Sequence, residues 1–440
     1  MLTAIKNNRS LTFYQTPKLQ SGVNVDWACS TVQSMTSTTN ASMVYSTVTQ
    51  TNAINNAYLQ LRSDVIGRGL QYANGKVASR GGFMAENWHA GTYNLDATIK
   101  KVSTRATVPA ETKLASADIV VDDNTEYSLK YYKDASSSAN AQTNPGYKGQ
   151  KLLIPDDQLD EARQVLEDKA THNEQKGRFD AAAIQKDASN RLTDRVTGPQ
   201  GTESTPLSKE DDLELAKAIK SDKTVDENAI DKVFEKRGVT AKKDQAIRKN
   251  EINGLKAAVA IAAGVGLTIG IVTTLAQSGI SLDSAKAAVI NGLSGSVESG
   301  SLAAISFGVG RTLGESAKQA IIGHLGTAAT DNIVKMVDMG VIGGLSILVF
   351  SVYQFTKLKI KGVATRHALV QVGKQALISL SILTVSIAAQ GVFGGAAGMI
   401  VATAAGLVTV TYSITDAVHQ RNFAERIRVY TIEQYTPYFA

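Results

Sequence analysis

With a single cysteine, Cys29, the chain can build no internal disulfide framework and no multi-cysteine metal site. Histidine is nearly as scarce, five in 440 residues. Glu86 and His89 share a helix face at a spacing of three, but no second ligand pair lies near them, so zinc is not expected. Phosphate-cradling glycine loops are missing too. Neither GxxxxGK[ST] nor a helix-opening GxGxxG occurs, and Gly308-Val309-Gly310 sits inside an apolar run, which disfavours NTPases and dehydrogenases. Ser/His/Asp and Cys/His triads cannot be assembled from local patterns. The residues after Lys6 hold no apolar core of the 7–15 residues that a secretory signal needs, so none is expected.

The absence that matters most is of charge. Residues 375–415 contain no Lys, Arg, Asp, Glu or His. That is about twice the roughly 20 residues one helix needs to cross a hydrocarbon core. The simplest expectation is two spans, 375–392 and 396–415, folded at Phe393-Gly394-Gly395. The bland alternative is a buried helical hairpin in a soluble core, which the many Ser and Thr in the run would suit. Two further uncharged runs, 257–276 and 339–356, bring the expected number of spans to four. Between them, 283–338 mixes charge with apolar periodicity and reads as interfacial helix, with 302–313 as a re-entrant piece.

Basic residues sort in the way membrane topology requires. Lys242, Lys243, Arg248, Lys249 and Lys256 precede the first run. Lys357, Lys359, Lys361, Arg366 and Lys374 separate the second from the third, and Arg421, Arg426 and Arg428 follow the last. With four spans all three groups fall on one side, which places both termini in the cytoplasm of a bacterial inner-membrane protein. The glycines of these spans suit close helix packing, homo-oligomers or a pore wall.

The remainder reads as soluble. The net charge of +6 is compatible with a phosphate-rich partner or an anionic membrane face. Four regions are expected: a polar helical region, 1–80; an α/β domain, 81–155; a charged helical linker, 156–250; and an all-α helical membrane domain, 251–440. A helix over 26–60 is followed by a glycine-punctuated loop, then by a helix over 83–99 that starts after Gly81-Gly82. Strands are expected over 105–108, 117–121, 127–132 and 151–154, with a short helix over 135–142. Helices over 156–169, 179–196, 209–220 and 225–236 follow. The third is capped by Ser208, and 197–208, with Gly198, Pro199, Gly201 and Pro206, is the clearest linker.

One pattern carries chemistry. Glu86 lies on the expected helix, Asp118 opens a strand, and Lys130 lies on the next strand twelve residues later. Two acids and a lysine so placed suit metal-dependent phosphodiester cleavage. The carboxylates would hold Mg²⁺, and the ammonium would offset charge growing on the phosphorus centre. The order and spacing resemble the PD-(D/E)xK restriction-endonuclease-like superfamily over residues 81–154, about a sixth of the chain. Its core is a helix, a small sheet and a second helix. The resemblance implies Glu86 as the helix acid, Asp118 as the metal-binding acid and Lys130 as the motif lysine. Where an acid is expected two residues before the lysine, this chain has Ser128. Glu126, four before it on the same strand face, could act as catalytic and metal-binding acid from a shifted position; otherwise the fold is kept without cleavage.

Lys100, Lys101, Lys133, Lys148 and Lys151, with Arg105 and Lys113 and with Tyr93, Tyr127, Tyr131, Tyr132 and Tyr147 interleaved, suit a nucleic-acid backbone with stacked bases. Three functions stay open on these residues. They are a membrane-tethered, Mg²⁺-dependent nuclease acting on DNA as a defence or toxic effector, a pore-forming effector with a sensing N-terminal domain, and a non-catalytic membrane-anchored binding protein.

Overall fold

The computed structural model describes residues 16–110, 115–122, 124–278, 282–325 and 331–393. The chain is mostly helical with one small mixed sheet, and it divides into two compact units. One comprises Gln50–Asn250; the other joins Met1–Thr49 with Glu251–Ala440. The expected span 396–415, Gly394-Gly395 of the turn before it, the three C-terminal arginines and Lys113 lie outside the described residues.

The first unit receives the end of a long helix, α1 (Thr16–Gln71), and continues with α2 (Val77–Lys100). Then come β1 (Ala106–Thr107), β2 (Ile119–Val121), β3 (Glu126–Leu129), α3 (Ala135–Ala141) and β4 (Lys151–Leu153). α4 (Leu159–Gln175), α5 (Phe179–Arg191), β5 (Leu192–Thr193), α6 (Lys209–Lys217) and α7 (Glu227–Lys236) complete it, with the start of α8 (Val239–Ser278). The strands lie in the order β1-β2-β3-β4-β5. β1–β2 and β2–β3 are antiparallel, whereas β3–β4 and β4–β5 are parallel. Both parallel steps are made by helical crossovers, α3 for the first and α4–α5 for the second, because a tight turn cannot return a strand in the same direction.

Period-two alternation sends the sheet's side chains into two different cores. Ile119, Val121, Tyr127, Leu129 and Leu153 pack with α1, α2, α6 and α7. Leu152, Ile154 and Leu192 pack on the other face with Ala135 and Ala139 of α3, Ala162 and Leu166 of α4, and Ala188 of α5. The result is a three-layer α/β/α sandwich. The segment expected to be a linker, 156–250, therefore builds much of both cores: Leu215, Ile230, Val233 and Phe234 are buried beside Trp88 of α2.

Glycine also behaves differently from expectation. α1 runs through Gly67 and Gly69, and α2 starts before Gly81-Gly82 and passes through both. At Gly69 and Gly81 the reason is contact between elements. A Cβ on Gly81 would lie 2.6 Å from the Asp212 carboxylate of α6, which an ion pair to Lys209 Nζ at 2.6 Å holds in place. Gly81→Ala is expected to destabilise the protein by about 1–3 kcal/mol through this clash. That outweighs the roughly 1 kcal/mol of helix propensity alanine otherwise adds. A denaturant melt measures it, and a gain in stability would show that Asp212 has room to move.

Capping followed the local chemistry. Ser208 Oγ accepts from Asp211 N–H at 3.1 Å and starts α6. Asp226 does the same for α7 through Ala229 N–H, and Gly238 at φ +71° ends it.

In the second unit α8 leads to α9 (Leu282–Leu325), α10 (Asp331–Ile360) and α11 (Thr365–Phe393). Residues 302–313 lie inside the unbroken α9, so no re-entrant turn forms there. Ala41, Val44 and Val48 of α1, Ala258 of α8, Phe307 of α9, and Met339 and Ile342 of α10 share a core. Among the described residues two helical segments, Val337–Ile360 and Thr365–Val385, are long and apolar enough to cross a membrane. About a third or less of each is buried. Leu348, Val352, Leu369, Leu377 and Val385 stand exposed on them.

Candidate functional site

The site forms where β2 begins and β3 ends. In the antiparallel register Ile119 opposes Tyr127, so Asp118 falls one rung beyond, beside Ser128. Its Oδ2 accepts from the backbone N–H of Leu129 at 2.6 Å and from Lys130 Nζ at 3.1 Å. Lys130 also donates to the Leu129 carbonyl at 2.9 Å and lies 5.0 Å from the centre of the Tyr147 ring. Glu86 comes from α2. Its carboxylate is buried and takes a 3.2 Å ion pair from Arg68 Nη2 of α1. Burial first, and then the negative charge of Asp118, raise Glu86 to about 7, against the pull of Arg68 and Lys130. A helix acid, a strand acid and a lysine from three separate elements thus share one electrostatic neighbourhood.

Ser128 sits opposite Asp118 with its side chain fully buried and its Oγ unpartnered. A carboxylate there would be enclosed with no solvent to stabilise its charge. Glu126 does not replace it. It opposes Val120, two rungs from Asp118, and at about 3.3 Å per strand residue it lies about 13 Å along β3 from Lys130. Its carboxylate meets Gln150 Nε2 at 3.4 Å instead. Among these acids, Asp118 acts electrostatically on Glu86. Gln142, at the end of α3, clips the parallel pair by donating to the carbonyls of Ser128 and Leu153 at 3.0 and 3.1 Å.

The described residues contain no group of three or more His, Cys, Asp or Glu arranged to hold a metal ion. Two carboxylates are nonetheless a sufficient protein contribution for Mg²⁺, which keeps several waters and fills its octahedron with phosphate oxygens.

The basic residues are more dispersed than the sequence suggested. Lys100 and Lys101 lie about 21 Å along α2 from Glu86, at 1.5 Å per residue. Lys100 is held by Asp96 at 2.8 Å and by the Gly201 carbonyl. Lys151 pairs with Tyr127 at the opposite end of β3 and donates to Thr197 Oγ1 at 2.9 Å. Lys133 and Lys148 are exposed, one three residues after Lys130 and the other next to Tyr147. Tyr93, Tyr127, Tyr131 and Tyr147 are buried, which leaves Tyr132 as the only one of the five available for stacking.

His89 takes no part in the site. It is fully buried, with Nδ1 2.9 Å from Ser204 Oγ and Nε2 2.8 Å from Tyr131 Oη. Tyr131 spends its one hydroxyl proton on the Leu207 carbonyl. Nε2 must then carry the imidazole proton, and Nδ1 accepts from Ser204. Burial pushes His89 down to about 3. In ¹⁵N-histidine-labelled protein it is expected to remain the neutral Nε2–H tautomer from pH 8 to pH 5, while exposed imidazoles charge. A titration of His89 in that range would contradict this network.

Arg68 is the site residue the sequence did not signal, because nothing local ties a residue on α1 to Glu86. No family model, curated protein or solved structure matches the chain.

Proposed function

We propose that the chain is a membrane-tethered, Mg²⁺-dependent phosphodiesterase of the nuclease type, acting on DNA at the inner face of a bacterial membrane. The observation that carries this reading is the contact of Lys130 with Asp118 at one end of the sheet, within electrostatic reach of the buried Glu86. The surrounding run, α2-β1-β2-β3-α3-β4, agrees with the helix–sheet–helix core of the PD-(D/E)xK nucleases that the spacing resembles. Glu86 and Asp118 would hold Mg²⁺, which when bound polarises the phosphate and lowers the pKa of a coordinated water. Lys130 would exchange its bond to Asp118 for one to the phosphate and offset the charge that develops there. Lys133 and Lys148 extend positive charge beside the site for the rest of the strand. The exposed apolar faces of α10 and α11 supply the tether.

The test uses the full chain in lipid nanodiscs with labelled single-stranded and duplex DNA. Cleavage that needs Mg²⁺ and disappears in Lys130→Gln supports the reading. DNA left intact at every Mg²⁺ concentration removes it. The same exposed apolar faces favour a second reading, a bilayer-permeabilising effector, for which dye release from liposomes without any DNA cleavage is the expected result.

A further inference from the structure

Arg68 holds Glu86 through only part of its hydrogen-bonding capacity. Nη2 donates to Glu86 Oε2 at 3.2 Å and Nη1 to Gln71 Oε1 at 3.1 Å. Nε is buried and has no acceptor. Buried donors are almost always satisfied, so a bare one at a candidate site asks what it is for. Nε and Nη2 form the side-on fork of a guanidinium, whose spacing matches two oxygens of one carboxylate or phosphate. Here the fork engages a single oxygen.

The group is also held by more than Glu86. Its central carbon lies 5.2 and 5.3 Å from the ring centres of Tyr72 and Phe83, which stack on each other at 4.0 Å. These rings and Gln71 would keep the guanidinium in place if Glu86 turned away.

Charge balance gives the same pairing. As the site stands, each acid is neutralised by its own basic residue, Glu86 by Arg68 and Asp118 by Lys130. A divalent cation on the two carboxylates would displace two cationic side chains, and a bound phosphodiester would require them.

Resting on the phosphodiesterase reading, we propose that Arg68 is the phosphate-recognition residue of this site, parked on Glu86 until a divalent cation takes that carboxylate. The cation and the substrate phosphate would then enter by exchange. Glu86 passes from Arg68 to the metal, and the Nε/Nη2 fork passes from one carboxylate oxygen to two phosphate oxygens.

The experiment compares the full-length wild type with Arg68→Gln, Arg68→Lys and Glu86→Gln, using two readouts that need no turnover. In Mn²⁺ binding followed by electron paramagnetic resonance without nucleic acid, compared at a pH high enough that Glu86 is ionised in both proteins, Arg68→Gln should bind about five- to tenfold tighter, because the competing cation is gone. Glu86→Gln should bind at least about tenfold more weakly. In oligonucleotide binding with Ca²⁺ replacing Mg²⁺, Arg68→Lys should lose about tenfold or more, since it keeps the charge and loses the fork.

Equal Mn²⁺ affinity in wild type and Arg68→Gln would overturn the exchange while leaving the phosphodiesterase reading intact. Unchanged oligonucleotide affinity in Arg68→Lys would overturn the phosphate assignment. Failure of the wild type to bind Mn²⁺ at all would remove both.

Discussion

Asp118→Asn is expected to abolish the proposed Mg²⁺-dependent DNA cleavage, by about 10³-fold or more, while leaving the thermal transition within a few degrees of wild type. Asparagine is the informative replacement. Asp118 Oδ2 accepts from the Leu129 N–H at 2.6 Å, and an amide oxygen can keep that bond. What it loses is the negative charge that pairs with Lys130 and that, on the proposed reading, would help hold a divalent cation. Alanine would leave the Leu129 N–H without its acceptor and mix a stability loss into the result. The measurement is initial cleavage rate against Mg²⁺ concentration, with a melting curve on the same sample. Full activity in Asp118→Asn would place the chemistry elsewhere.

Trp88→Ala should cost about 3–5 kcal/mol, enough to unfold a domain of ordinary stability. Trp88 is fully buried on α2 and meets the Phe234 ring of α7 edge-on, with centres 5.0 Å apart. Its Nε1–H donates to the Thr205 carbonyl at 2.8 Å. Truncation would remove a large apolar volume and leave that carbonyl without its donor. A urea titration of the full chain reads the effect. A loss below about 1 kcal/mol would mean that α7 and the 197–208 segment do not belong to the same cooperative core as α2.

That segment shows where the sequence reading stopped. Residues 197–208 look like a linker by composition, with two prolines and two glycines. In the fold they are tied to α2 along its length. Glu203 N–H donates to Asp96, Thr205 N–H to Thr92, and Ser204 meets His89. Nothing within the segment announces those partners, which lie about a hundred residues earlier. The charged stretches 209–217 and 227–236 are helices, as expected, but they pack into the core and not as a linker, for a related reason. Their polar faces dominate the composition, while the few apolar positions that enter the core, Leu215, Ile230, Val233 and Phe234, decide their place.

Asp211 and Asp212 make the same point with charge. Both are fully buried. Asp211 is bonded by Lys236 and Arg237, and Arg237 reaches on to Asp156. Asp212 keeps Lys209, yet burial raises it to about 6. A run of Lys-Glu-Asp-Asp reads as a solvated first turn, and only the packing of α6 against α2 encloses its two aspartates.

By itself the sequence determined the local events: which stretches alternate as strands, where Ser208 starts a helix, and which helical stretches are long and apolar enough to cross a membrane. These depend on near neighbours, on side-chain periods and on capping oxygens. Tertiary structure alone decided that Gly69, Gly81 and Gly91 are points of close approach, that Glu126 stands apart while Arg68 meets Glu86, and that a charged stretch becomes core. Each of those rests on contacts between residues far apart in the chain, where the free energy of packing outweighs local preference.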